Sequence, residues 1–161
     1  MLERVILRAF LVFGFVCLPF SLRKKPVKDW IIVFCSTGFL APLIAKIVVK
    51  QKRLAFPIRF LPKYFNTHVL YEHLILPLFC VWFNQTTSRS KMGGMIGQAL
   101  LYSGVHTVIE FVLERKTDLI IWKRWTCLHN IVSLTVIFLG SRGILFTSKW
   151  LSKKYDEEEI K

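Results

Sequence analysis

The chain has 161 residues, 53% of them apolar, with 23 Lys and Arg against 10 Asp and Glu for a net charge of +13. Mean hydropathy is +0.46. A soluble domain of this length cannot enclose so much apolar surface, and exposing it to water drives aggregation, so an ordinary soluble fold is excluded. Nucleic acid is excluded as a partner by how the charge is distributed. Lys and Arg stand in short clusters between apolar runs (Arg23 to Lys25, Lys50 to Arg53, Arg115-Lys116, Lys123-Arg124, Lys153-Lys154), as in loops that meet anionic headgroups, and no basic face carries interleaved base-stacking aromatics.

Crossing about 30 Å of hydrocarbon takes about 20 helical residues. Arg4 and Arg8 precede an apolar run from Ala9 to Leu22 in the outline of a signal peptide. Leu18-Pro19-Phe20-Ser21 offers no small-x-small cleavage site, however, and Arg23 follows at once, so the segment is expected to be retained. Residues 5–22 either span, with Arg8 snorkelling, or form a short re-entrant piece, and spanning is favoured. Residues 30–49 form the next segment, with Lys46 one turn from its end. Residues 66–85 carry Glu72 and His73; residues 93–113 carry Gln98, His106 and Glu110; residues 126–146 carry His129, Asn130 and Arg142. The predicted fold class is all-α, a single polytopic transmembrane helical bundle with four or five membrane-embedded segments. Residues 147–161, with the acidic run Asp156 to Glu159, are expected to form a solvated cytoplasmic tail.

Trp30, Trp82, Trp122, Trp125 and Trp150 flank these segments, at aromatic-belt positions. The connections Phe56 to Phe65 and Thr117 to Trp125 mix aromatics with bases and are expected at headgroup depth. Pro42 and Pro77 predict kinks. Gly93-x-x-x-Gly97, followed by Ser103-Gly104, predicts a small face for helix packing. Cys17, Cys35, Cys80 and Cys127 are widely spaced, without a C-x-x-C pair, and read as small buried hydrophobes. If the first segment does not span, the C-terminal side holds more Lys and Arg, which places the C-terminus in the cytoplasm; if it spans, the two sides nearly balance.

Successive spans run antiparallel. The end of 30–49, the start of 66–85, the end of 93–113 and the start of 126–146 therefore lie on one side. Those ends hold Lys46, His68, Glu72, His73, His106, Glu110, Glu114, His129 and Asn130, which include every histidine of the chain. His106, Glu110 and Glu114 share a helical face, and His68 and Glu72 repeat the i, i+4 spacing. An ionised carboxylate at mid-bilayer costs about 3 kcal/mol on insertion scales, so these groups should face protein or a wet cavity. Three readings follow: hydrogen-bonded glue between helices, which is the most economical; a proton or cationic-ligand site; and a site for Zn²⁺ or another divalent cation built on His106, Glu110, Glu72 and His68, with Glu114, His73 and His129 behind them. The spacing is not H-E-x-x-H, so no metalloprotease is indicated.

The stretch His106-Thr107-x-x-Glu110-x-x-x-Glu114-x-x-Thr117, followed by Trp122 and Trp125, resembles an uncharacterised family of small multi-pass membrane proteins from spore-forming bacteria. The resemblance implies a bacterial plasma membrane and a recurring His/Glu helix. It supplies no activity and no catalytic role. No catalytic residue or resident cofactor is expected from the residues themselves. The expected function is that of a non-enzymatic accessory or interaction protein in the lipid bilayer, pairing with another membrane protein or with itself through the Gly93/Gly97 face. The alternative is a small cation or proton transporter or channel that uses the one-sided His/Glu cluster. An intramembrane enzyme is the least favoured, because no nucleophile is positioned by recognisable spacing.

Overall fold

A computed structural model describes residues 2–58 and 68–159. In chain order these form α1 (Leu2–Leu22), α2 (Val27–Lys50), β1 (Leu54–Ala55), a π-helical turn (Tyr71–Ile75), α3 (Leu76–Thr86), α4 (Met92–Lys116), β2 (Ile121–Trp122) and α5 (Cys127–Glu159). α1, α2, α4 and the part of α5 up to Tyr155 are each long and apolar enough to cross a membrane. Their outer faces present Val12, Phe39, Leu101, Val108, Leu128 and Phe146, side chains that lipid solvates as well as a protein core does. The chain is a multi-pass helical membrane protein.

The helix at the centre is α3. Leu76, Pro77, Leu78, Cys80, Val81, Phe83 and Asn84 are all buried in it, whereas the four long helices bury only 17–22% of their most apolar windows. The π turn leads directly into α3: the Leu76 amide bonds to the Tyr71 carbonyl, five residues back. Pro77 follows in the first turn of α3 and has no N–H to offer the ladder. The wider turn therefore falls where the proline would interrupt a regular helix, and it rotates Tyr71 and Glu72 relative to the helix that follows. Proline does more here than bend the segment, as the sequence had suggested.

Polar ties hold one end of the bundle. Trp82 Nε1 donates to Ser21 Oγ at 2.6 Å and Gln85 Nε2 to the Ser21 carbonyl at 2.7 Å, fastening α1 to α3. Asn84 Nδ2 donates to Ser141 Oγ at 2.8 Å. The Arg142 guanidinium lies 3.4 Å from the carbonyls of Asn84, Thr87 and Ser88, supplying donors and positive charge at the C-terminal end of α3. Asp29, buried in the first turn of α2, receives Lys149 Nζ of α5 at 2.7 Å. This ion pair joins residues far apart in the chain and has no sequence signature.

At the other end β1 and β2 pair antiparallel, with Leu54 opposite Trp122 and Ala55 opposite Ile121. The amides of Lys123 and Arg124 bond to the Arg53 carbonyl. This pairing satisfies backbone groups that lipid could not. Leu119 and Ile120 are buried, and Leu119 packs with Leu7, Leu70 and Leu74 to close that end of the bundle. Of the Phe56–Phe65 connection, residues 59–65 lie outside the described residues, as do Asn66 and Thr67 at the start of the 66–85 segment.

Two expectations are corrected. Trp30 is not a belt residue; it is buried in the core with Val33, Phe83 and Phe138, because the first turn of α2 packs inward where Asp29 meets α5. Among the cysteines only Cys80 is buried; Cys35 and Cys127 are exposed on the outer surface and Cys17 is half-buried. α5 runs as one helix through Glu159, past the 126–146 segment, with Lys154 and Glu158 one turn apart at 3.9 Å.

Candidate functional site

α4 presents His106, Thr107 and Glu110 inward, the π turn presents Tyr71 and Glu72, and the first turn of α5 presents Asn130. His68 precedes the π turn and is buried beside it. His106 and Glu72 are only 2% and 3% exposed. All of these side chains except Thr107 line one cavity of about 460 Å³ under the β1–β2 closure, a volume within the usual range for small-molecule sites. Apart from Ser133, its remaining walls are aliphatic and aromatic, and include Phe10 and Phe13 of α1, Ala41, Ile44 and Ala45 of α2, Phe79 of α3 and Trp125 before α5.

Tyr71 is the hub. Its hydroxyl donates to Glu110 Oε1 at 2.9 Å and lies 3.0 Å from His106 Nδ1. A hydroxyl has one proton, and with that proton on Glu110 the oxygen faces His106 as an acceptor. Nδ1 therefore carries the imidazole hydrogen in this arrangement and Nε2 is a bare acceptor. Nε2 is buried and has no hydrogen-bond partner among the described residues. The Phe79 ring, with its centroid 4.3 Å away and nearly perpendicular, fixes the plane of the imidazole.

The second oxygen of Glu110 is held separately. Trp125 Nε1 can only donate, and it does so to Asn130 Oδ1 at 3.1 Å. That orients the amide so that Nδ2 donates to Glu110 Oε2 at 2.9 Å and to Thr107 Oγ1 at 3.3 Å. Both oxygens of Glu110 thus accept a neutral donor, the pattern of a stabilised carboxylate.

The expected site residues are only partly brought together. His106, Glu110, Glu72 and His68 all line the cavity, and Tyr71 bridges the first two. The Tyr71 amide lies 3.3 Å from His68 Nδ1. Glu114 sits half-buried beside Arg115 at 3.6 Å, and His73 is exposed. His129 is exposed as well, with Nδ1 2.7 Å from Thr126 Oγ1. Among the described residues no three His, Cys, Asp or Glu side chains converge as a metal ion needs. Tyr71, Phe79 and Trp125 were not singled out as site residues from the sequence. For Tyr71 a signal existed, since it sits between His68 and Glu72 in the same turn, but a tyrosine among apolar residues is ordinary.

The fold and this cluster define a polytopic α-helical membrane protein with a polar-ended chamber inside its bundle. No protein-family model matches the chain, and no curated protein or solved structure is significantly similar to it.

Proposed function

We propose that the protein binds a small lipophilic cation inside its bundle. One observation carries this reading: in a chain of net charge +13, the cavity is lined by two carboxylates, Glu72 and Glu110, and by no Lys or Arg among the described residues. Carboxylates in an apolar chamber attract a positive ligand strongly, because little solvent screens them. The aromatic walls add quadrupole attraction for a cation and contact area for an apolar body. Phe13 and Ile44 line the chamber and are also exposed, which supports a way in from the lipid between α1 and α2. A carrier or channel for such cations would use the same chamber.

The test is equilibrium binding of N,N,N-trimethyladamantan-1-aminium, a compact lipophilic cation, to the protein in lipid nanodiscs, corrected for uptake by empty discs. Saturable one-to-one binding is expected, weakened about tenfold or more by Glu72→Gln with Glu110→Gln, since each lost charge removes more than about 1 kcal/mol at low dielectric. Equal binding by the double variant overturns the reading.

A second reading, association with another copy or another membrane protein, is supported by α4. Gly93, Gly97 and Gly104 fall on one stripe of its surface, and a Cβ added at any of them meets nothing within 4 Å. Gly97→Ile is expected to leave the monomer fold intact and abolish cross-linked dimers in native membranes. Unchanged dimers, or none in the wild type, count against self-association.

A further inference from the structure

The cavity end is built to do more than attract positive charge. We propose that it selects protonated amines over quaternary cations, with His106 Nε2 accepting an N–H hydrogen bond from the ammonium head and Tyr71 relaying the displaced proton to Glu110. This rests on the cation-binding reading and names the chemical class of the ligand.

The hydrogen-bond arrangement is the argument. Nδ1 of His106 is committed to the Tyr71 oxygen at 3.0 Å, and the Tyr71 proton is committed to Glu110 Oε1 at 2.9 Å. Nε2 is buried, lacks a partner among the described residues, and belongs to a ring that lines the cavity. It can receive only a donor. A primary ammonium carries three N–H groups and a quaternary ammonium none, so the open acceptor discriminates between cations of the same charge. Leaving Nε2 buried and unmet is the cost a quaternary head incurs.

The relay balances without an added reactant. The ammonium N–H proton moves to Nε2; the Nδ1 proton moves to the Tyr71 oxygen; the Tyr71 proton moves to Glu110 Oε1. The products are a neutral amine hydrogen-bonded to Nε2–H, an imidazole that is again neutral, and a protonated Glu110. One positive and one negative charge become two neutral groups, a favourable exchange among apolar walls. The surroundings leave one route. Asn130, oriented by Trp125, occupies Oε2 with a donor, so only Oε1 is free to take the proton. Phe79 holds the imidazole edge-on, so both ring nitrogens stay in line.

The experiment uses the full chain in lipid nanodiscs with two probes of one shape, adamantan-1-amine and N,N,N-trimethyladamantan-1-aminium, read by calorimetry and by infrared difference spectroscopy. The amine is expected to bind about tenfold tighter, the worth of one charge-assisted hydrogen bond. It alone should raise a carboxylic-acid C=O band. That band should vanish in Glu110→Gln, persist in Glu72→Gln, and vanish in Tyr71→Phe while the amine still binds. Equal affinities with no acid band in the wild type overturn the selectivity and the relay and leave cation binding standing. A band that survives Tyr71→Phe removes Tyr71 from the route. Failure of both probes to bind overturns the cation reading itself.

Discussion

Replacing Gly14 with leucine is expected to unseat α1 and lower the unfolding midpoint in mixed detergent more than any other glycine substitution in the chain. A Cβ at position 14 would overlap the Leu74 side chain, and Leu74 is held by the π turn and packed with Leu7, Leu70 and Leu119. Leu74 cannot withdraw without moving the turn that carries Tyr71 and Glu72. Overpacking of this kind costs about 1–3 kcal/mol, and more when backbone must shift. The cost does not depend on the solvent, because steric overlap is the same in lipid as in water. Gly104→Leu and Gly140→Leu are the controls: both positions open on empty space, and neither should shift the midpoint. If Gly14→Leu unfolds with the controls, α1 does not pack on the π turn as described.

The second large effect concerns the carboxylate. Asn130→Leu keeps much of the side-chain volume but removes the donor to Glu110 Oε2 and Thr107 Oγ1 and the acceptor for Trp125 Nε1. Hydrogen bonds between membrane helices contribute less than buried ones in water because the separated helices find other partners, but a bond to a charged group stands at the upper end. A loss of about 2 kcal/mol is expected in reversible unfolding by sodium dodecyl sulfate. The decisive comparison is a double-mutant cycle: in a Glu110→Gln background the same Asn130→Leu change should cost distinctly less, since the charge it served has gone. An equal cost in both backgrounds means that Asn130 acts through Trp125 and Thr107 alone.

The two experiments probe one assembly. Gly14 lets α1 close against the π turn, that turn aims Tyr71 at His106 and Glu110, and Asn130 holds the far side of the carboxylate. A change at Gly14 is therefore expected to weaken cation binding although it touches no group that meets the ligand.

What was legible in the sequence follows from physics that acts along the chain. Long apolar runs bounded by Lys and Arg must be membrane helices, because lipid admits no other way to satisfy a single strand's backbone. Reading residues 66–85 as a crossing too makes consecutive crossings alternate in direction, which puts His68, Glu72, His106, Glu110 and Asn130 toward one end. Glu110 could not face lipid, and it does not.

The tertiary structure alone decided the rest. In water a helix shows its buried face by amphipathicity, but in lipid both faces are apolar, so nothing in the 66–85 run marked α3 as the central helix. Rotation about each axis is then set by close contacts such as Gly14 against Leu74 and by pairs distant in the chain, Asp29 with Lys149 and Tyr71 with Glu110. The π turn before Pro77 shifts the register of Tyr71 by an amount that no 3.6-residue periodicity contains. The burial of Leu119 and Ile120 depends on a strand pair between two loops, and such pairing becomes visible only when the helices bring the loops together. The sequence thus determined which residues are polar in the membrane and at which end they lie; packing decided that Tyr71 joins His106 to Glu110 and leaves one imidazole nitrogen buried without a hydrogen-bond partner among the described residues.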